Sequence, residues 1–206
     1  MIVIIDYGVG NIKNVQHALD RLGASSLVSA DPELVRTAPM VILPGVGAFP
    51  DAMIRLTRTG MADAIRDRAL TNKLTVGICL GLQLLCQTSD EGQLMEGLGV
   101  LKGHVRKIKD SPKLPHMGWN KLKLHQKIDL VNNLPKDGHG YFVHSYQVTD
   151  WDPGDLVAST TYGATIPAVL KKDMIIGIQF HPEKSGDLGH QLLGNIIQTY
   201  RKECGL

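Results

Sequence analysis

The chain is short of several things, and each shortage excludes a class of protein. Cysteine is scarce: Cys79, Cys86 and Cys204 are an odd set of three, with no CxxC pair. That argues against a disulfide framework and for free thiols in a reducing, cytoplasmic setting. No segment reaches the roughly 18 unbroken apolar residues of a membrane helix. The opening "MIVIIDYGVGN" is apolar only briefly and lacks a basic leader, so it does not read as a signal peptide. Neither sign of charge dominates. The formal net charge is +2, and there is no basic stripe of the kind that grips nucleic acid. The densest basic stretch, "KGHVRKIKDSPK", alternates charged and apolar residues and reads as the exposed face of a strand. The eight histidines are scattered, without zinc spacing beside acidic or cysteine ligands, so no metal is expected. Linkers, repeats and low-complexity tracts are also missing. What remains, 206 residues at 43% hydrophobic content, suits one domain over 1–206 with a real core.

The first half of the chain alternates two kinds of pattern. "MIVIID", "SSLVSA", "MVILPG" and "LTVGIC" read as strands. "IKNVQHALDRLG", "DAMIRLTRTG", "MADAIRDRAL" and "LGLQLLCQT" read as helices. In the first helix Ile12, Val15, Leu19 and Leu22 share a face, Asn11 is the expected N-cap and Gly23 the expected stop. Strands that are apolar throughout, each followed by a helix, predict a mostly parallel sheet with helices on both faces. The second half is strand-rich: "GVLKGHVRKI", "GHGYFVHSYQVT", "LVASTTY", "IPAVLKK" and "MIIGIQFHPE" predict an antiparallel extension of the same sheet. "GDLGHQLLGNIIQTYRKECG" predicts a last helix, packing Leu188, Leu192, Ile196 and Ile197 on the sheet.

Three segments carry chemistry. In "VGICLGLQLL", Cys79 sits two residues from a glycine on either side, where a strand turns at once into a helix. This is the pattern of a nucleophile elbow, with sulfur in place of hydroxyl. The turn puts the sulfur at the carboxyl edge of the sheet, where the helix dipole favours its reactive, ionised form. Cys86 has no glycine pair and reads as core. A nucleophile needs a base and the base an orienter. In "GIQFHPEKSG", His181 ends a strand and Glu183 lies two residues on. An extended segment would turn both the same way. The oxyanion of acyl transfer needs donors: the Leu80 N–H directly after the nucleophile is one, and the glycine-rich "PGVG" turn at Gly45, Val46 and Gly47 is a source of the second. "YGVGNIKN" has Gly8 and Gly10 but Lys13 at the third glycine position of a dinucleotide fingerprint, so no such cofactor is expected. No cofactor of any kind is implied.

Taken together, "GICLGLQ", "HPEKS" and "LPGVG" resemble the class I, or triad, glutamine amidotransferases, whose core is flavodoxin-like. "DYGVGNIKNV", "LPGVGAFPDAM", "PHMGWN" and "YFVHSY" narrow the resemblance to the glutaminase subunits of imidazole glycerol phosphate synthase in histidine biosynthesis. It spans nearly the whole chain. Asn14 departs from it, where serine is more usual. The resemblance implies Cys79 as nucleophile, His181 as base and acid, and Glu183 as orienter. It implies Leu80 and the Val46–Gly47 peptide as oxyanion donors. Gln83, Glu91, His144 and Ser145 are implied near the substrate's α-amino and carboxylate ends. Asn11, Lys13, Tyr141 and Lys184 are implied on a face toward a partner. The implied substrate is L-glutamine. The implied partner is a (β/α)8-barrel cyclase subunit, in a heterodimer, that makes imidazole glycerol phosphate and an aminoimidazole carboxamide ribonucleotide. The alternatives are a glutaminase subunit for pyridoxal phosphate or anthranilate synthesis, a stand-alone cysteine hydrolase, and a non-catalytic interaction subunit.

Overall fold

The computed structural model describes residues 1–111 and 113–205, so Pro112 of the basic stretch and Leu206 lie outside it. The first half holds β1 (Ile2–Ile5), α1 (Ile12–Arg21), β2 (Ser26–Ser29), α2 (Pro32–Thr37) and β3 (Met40–Gly45). α3 (Phe49–Arg58), α4 (Met61–Leu70), β4 (Leu74–Cys79) and α5 (Leu80–Leu85) follow. Then come β5 (Thr88–Ser89), β6 (Met95–Glu96), β7 (His104–Lys107), β8 (His116–Lys121), β9 (Lys123–Leu124), β10 (His139–His144) and β11 (Tyr146–Thr149). β12 (Leu156–Tyr162), β13 (Ala164–Lys172), β14 (Ile175–Ile178) and α6 (Gly186–Glu203) complete the order. No helix among the described residues is long and apolar enough to cross a membrane.

The main sheet runs β2-β1-β3-β4-β14-β13-β12-β9. β2, β1, β3, β4 and β14 are parallel, and β13, β12 and β9 extend the sheet antiparallel. Every residue of β1, β3, β4 and β14 is buried, which is why these strands read as unbroken apolar runs. Period-two alternation sends Ile2, Ile4, Ile42, Val76 and Ile178 to the face covered by α1 and α6. It sends Val3, Ile5, Val41 and Leu43 to the face covered by α3 and α4. Leu188, Leu192, Ile196 and Ile197 of α6 lie in the first of these cores.

Several expectations need correction. "GHGYFVHSYQVT" is two strands. β10 pairs with β8 in a separate ribbon, and β11 pairs with β7 in a small sheet, with Ser145 at the break. The antiparallel extension of the main sheet is therefore only β13, β12 and β9. α5 stops at Leu85 because a following loop captures its last carbonyls: Leu98 N–H donates to Leu84 O at 2.8 Å and Leu101 N–H to Leu85 O at 2.9 Å. Cys86 is already extended there. Asn11 occupies the N-cap position of α1 but makes no side-chain cap bond. Gly23 does follow the helix end, at φ 64°. α2 went unassigned in the sequence, although Asp31 caps it by accepting from Glu33 N–H at 2.9 Å and Pro32 opens it.

What positions the site is the turn from β4 into α5. Cys79 sits at φ 56°, ψ −109°, so the chain reverses within one residue. The first turn of α5 then lies backbone to backbone on β3. A methyl group on Gly81 would stand 1.9 Å from the Leu43 carbonyl oxygen, and one on Gly77 2.6 Å from the Gly81 oxygen. Neither contact has a flexible side chain that can yield. Gly81→Ala is expected to cost about 3 kcal/mol of stability through this overpacking. Gly47→Ala is the control: nothing lies within 4 Å of its added carbon, and only φ 96° penalises it, by about 1 kcal/mol. Urea-unfolding midpoints check the order. A Gly81→Ala variant as stable as the Gly47→Ala variant refutes the packing account.

Candidate active site

At the carboxyl ends of β3, β4 and β14 a cavity of about 350 Å³ opens. Parallel register creates it. Gly45 pairs with Cys79 and Ile178 with Ile78, so the chain segments leaving these strands converge on one edge. Val46, Gly47, Cys79, Leu80, Gln83, Glu91, His144, Ser145 and His181, all singled out from the sequence, line the cavity, together with Val143 and Tyr146.

The Cys79 sulfur is 3.9 Å from the Val143 carbonyl and 4.0 Å from Gln179 Nε2. His181 comes three residues after β14 ends. Its Nδ1 is 2.8 Å from Glu183 Oε1, and the side chains are 3% and 1% exposed. An N–H facing a carboxylate donates to it, which leaves Nε2 as the nitrogen able to exchange a proton with a neighbour. Nε2 makes no hydrogen bond and is buried, as is Glu183 Oε2. The route to this pair differs from the sequence expectation. Glu183 belongs to a 3₁₀ turn, Pro182–Lys184, not to an extended segment. The turn swings the carboxylate back under the ring. Burial pulls the His181 imidazolium down, but the nearby Cys79 side chain and then Glu183 outweigh it and hold the pKa at about 9. The His181 backbone is pinned too: its N–H donates to Tyr141 O at 2.9 Å, and Ser185 Oγ donates to its carbonyl at 2.7 Å.

Leu80 N–H opens the first turn of α5, where an amide has no partner within the helix. Across from it, Val46 and Gly47 are exposed, and Gly47 holds φ 96°. Gln83 is 4% exposed. Its Nε2 donates to Tyr146 O at 2.9 Å and to Gln179 Oε1 at 3.2 Å, so both amide hydrogens are committed and only its carbonyl oxygen is left for the cavity. Glu91 Oε2 accepts from Phe49 N–H at 2.9 Å at the start of α3, so it is an anchored carboxylate and not a solvated loop residue. Desolvation lowers the His144 pKa to about 4, helped by the nearby His116 and His181, so the ring is neutral near pH 7.

The four residues assigned to a partner face do not line the cavity. Tyr141 is half-buried on β10, and the Lys184 Nζ lies 5.8 Å from its ring centroid. Asn11 and Lys13 begin α1, which packs against the Pro182–Lys184 turn. Cys86 is fully buried, and burial pushes its thiol up to about 12, an inert core sulfur.

Sequence reading missed Gln179, Tyr7 and His116. Gln179 was within reach: it is two residues before His181, on the side of an extended segment that also faces Cys79. Tyr7 donates its hydroxyl to Pro44 O at 3.0 Å and braces the strand that leads to Gly47. Burial, then the neighbouring Cys79, push its pKa far up, so it stays a neutral donor. His116 had no local signal.

A parallel α/β sheet with a cysteine elbow, a carboxylate-held histidine and a polar cavity at its carboxyl edge is the arrangement that a triad amidotransferase needs. Residues 3–198 match the family described as Glutamine amidotransferase class-I, and the chain belongs to that family. It is 46% identical to "Imidazole glycerol phosphate synthase subunit HisH" of Oceanobacillus iheyensis, over 98% of this chain and 100% of that one. The protein of the same name from Lactococcus lactis is 48% identical over 96% of this chain and 98% of that one. Among solved structures, one described as a glutamine amidotransferase superposes with a TM-score of 0.76 at 19% identity, covering 100% of both chains. PurLQS from Thermotoga maritima superposes at 0.74 and 20% identity, over 96% of this chain and 97% of that one. At these identities the two structures speak for the fold alone.

The two cavity histidines set opposite arms of a stability profile. His181 binds its proton more tightly in the fold than at its ordinary pKa of 6.5. Its contribution is complete below pH 6.5 and is lost as pH rises toward 9. His144 has the reverse sign: its contribution is complete above 6.5 and is lost as pH falls toward 4. Stability is expected to peak near pH 6.5, each arm amounting to on the order of 2 kcal/mol. Urea-unfolding midpoints from pH 4 to 9 measure this. Glu183→Gln should reduce the alkaline arm to the part that Cys79 supports, and an arm of unchanged slope contradicts the assignment.

Proposed function

We propose that the chain, acting as one amidotransferase domain over residues 1–206, is the glutaminase subunit of an imidazole glycerol phosphate synthase. It hydrolyses L-glutamine and passes ammonia to a cyclase subunit in histidine biosynthesis. The observation that carries the chemistry is the meeting of Cys79, at φ 56°, with a buried His181 whose Nδ1 is bound to Glu183 at 2.8 Å. The near-full-length identity to subunits named HisH supports the pathway.

In this mechanism His181 Nε2 takes the Cys79 proton and the sulfur attacks the side-chain amide carbon of glutamine. The carbonyl oxygen becomes an oxyanion held by the N–H groups of Leu80 and Gly47, each donor contributing roughly 3 kcal/mol. His181 returns its proton to the departing nitrogen, and ammonia leaves a glutamyl thioester on Cys79. Water then gives a proton to His181 and attacks the thioester. Glutamate leaves and the thiol is restored. Glu183 keeps the imidazole in the Nδ1–H form and steadies its positive charge. The Gln83 carbonyl oxygen and the Glu91 carboxylate suit the substrate's α-ammonium group. Ser145, with the neutral His144 behind it, suits the carboxylate end.

Ammonia at neutral pH is mostly ammonium, which has no lone pair to offer an acceptor, so the product needs a closed route to a second active site. The surface that would meet a (β/α)8-barrel partner is the edge carrying Asn11, Lys13, Tyr141 and Lys184. Beside Tyr141, Met117 is 61% and Trp119 56% exposed, an apolar area that asks to be covered. The Gly45–Gly47 segment is the element that partner loading reorients: turning the Val46–Gly47 peptide adds or removes one oxyanion donor. A reducing, cytoplasmic location fits the free cysteines.

Glutaminase assays with and without the cyclase and its nucleotide substrate test this reading. Cys79→Ala is expected to abolish activity, a fall of about 10⁴-fold or more, and Glu183→Gln to lower kcat about 10²-fold or more. A glutamine-analogue electrophile should label Cys79 in the wild type only. Gly47→Ala should fold yet lose much of its activation by the partner. Activation unchanged in Gly47→Ala removes the loop from the account, and substantial activity in Cys79→Ala removes the mechanism.

A further inference from the structure

His116 is 1% exposed and lines no part of the cavity, yet every polar atom of its ring is engaged. The ring is clamped between Tyr162, with centroids 3.9 Å apart at 16°, and Phe142, at 4.9 Å and 18°. In its plane, Nδ1 is 2.9 Å from His144 Nε2, and Nε2 is 2.8 Å from Asn120 Oδ1. His144 Nδ1 is in turn 2.8 Å from Tyr146 O, the carbonyl that also accepts from Gln83 Nε2 at 2.9 Å. A continuous chain therefore runs from Asn120 through two imidazoles to the carbonyl that holds Gln83, next to the Ser145 break.

Counting protons gives this chain a direction. Burial lowers the pKa of both rings, so both are neutral at pH 7. Two neutral imidazoles supply two N–H groups for three contacts. If Asn120 only accepts, one contact must set two lone pairs face to face, in a buried place where that is costly. All three become hydrogen bonds when the Asn120 amide turns to present Nδ2 to His116 Nε2, which gives up only its long, solvent-exposed bond to the Thr161 carbonyl at 3.4 Å. Each ring then carries its proton on Nδ1, and every donor points toward the Tyr146 carbonyl. The opposite direction would aim the His144 Nδ1 lone pair at that carbonyl oxygen.

We propose that His116 is a positioning residue of the glutamine site: with Asn120 as its donor it orients His144, and through the Tyr146 carbonyl it holds Gln83 and the Ser145 bend. The proposal rests on the glutaminase reading above. His116 never meets substrate, so its removal acts on binding more than on the chemical step.

Two substitutions separate hydrogen bonding from packing. His116→Phe keeps the aromatic stack and removes both nitrogens. His116→Asn loses the stack and keeps an amide N–H near the place of Nδ1. Measured as glutaminase in the complex with the cyclase subunit, His116→Phe is expected to raise the KM for glutamine roughly tenfold and change kcat less than about threefold. His116→Asn, though less stable, should keep KM nearer the wild-type value. Asn120→Leu removes the donor alone and should raise KM in the same direction as His116→Phe, which keeps the test intact where a core variant does not fold. Nitrogen-15 NMR of the wild-type chain at pH 7 should show both His116 and His144 as Nδ1–H tautomers. An Nε2–H tautomer at either ring overturns the proposal, as does a wild-type KM in His116→Phe or Asn120→Leu, or a KM higher in His116→Asn than in His116→Phe. A wild-type complex with no glutaminase activity instead defeats the reading of the cavity, while the tautomers still decide whether the chain exists.

Discussion

The site depends on one close approach, that of the first turn of α5 to the backbone of β3. The Leu43 carbonyl occupies the space where any side chain on residue 81 would begin. Because that contact is backbone on backbone, the helix starts directly above the sheet edge. Cys79, the residue between strand and helix, has no choice but the positive-φ conformation. Its sulfur is then lifted off the sheet while both neighbouring segments stay in the core. The parallel pairing of β4 with β14 brings the histidine alongside, and the pairing of β3 with β4 brings the glycine loop to the other side. Three strands in register thus convert one steric fact into a candidate active site, and the strain at Cys79 persists because the surrounding packing over-determines it.

Electrostatics then divides the work between two histidines around one cavity. Both are buried, and burial alone disfavours the charged ring in each. His181 has a sulfur and a carboxylate for company, and those partners reverse the sign. His144 has another imidazole and one carbonyl, and the pull of the Tyr146 carbonyl on a positive ring is too weak to offset burial. The first is therefore fit to carry a proton through a reaction cycle. The second is fit to be a fixed, neutral part of the wall. The same residue type serves opposite ends because a neighbouring charge outweighs desolvation in one place and is missing in the other.

The parallel half was legible in the sequence for the reason it is stable. Strands buried on both faces have no alternation to misread, so "MIVIID", "MVILPG" and "LTVGIC" announced themselves. The elbow was legible because a turn that tight permits so few residues around Cys79. The β8–β10 ribbon was not. β8 went unassigned because its outward residues, Met117 and Trp119, are apolar and its inward ones, His116 and Asn120, are polar, which inverts the usual pattern. The break at Ser145 was hidden because no glycine or proline marks it. There the chain leaves one sheet for another within a run of good strand formers. Glu183 was assigned to the right partner by the wrong route, since the residues after Pro182 coil into a 3₁₀ turn that local sequence does not distinguish from an extended segment.

That inverted ribbon also explains how the cavity and the outer surface are joined. In a strand, neighbouring side chains point to opposite faces. On β10, Tyr141 faces out beside Trp119, with ring centroids 5.5 Å apart, while Phe142 and His144 face in. On β8, Met117 and Trp119 face out and His116 and Asn120 face in. The Tyr141 backbone exchanges hydrogen bonds with the residues that anchor His181: its carbonyl accepts from His181 N–H, and its N–H donates to Ser185 Oγ, each at 2.9 Å. A partner that covers the outer aromatic pair therefore touches the strand that carries His144 and accepts the His181 N–H. The His181 N–H bond ends on this ribbon at the Tyr141 carbonyl, and His144, the last residue of β10, bonds the Tyr146 carbonyl. The ribbon thus carries the exposed aromatic pair on one face and the hydrogen bonds to both cavity histidines on the other.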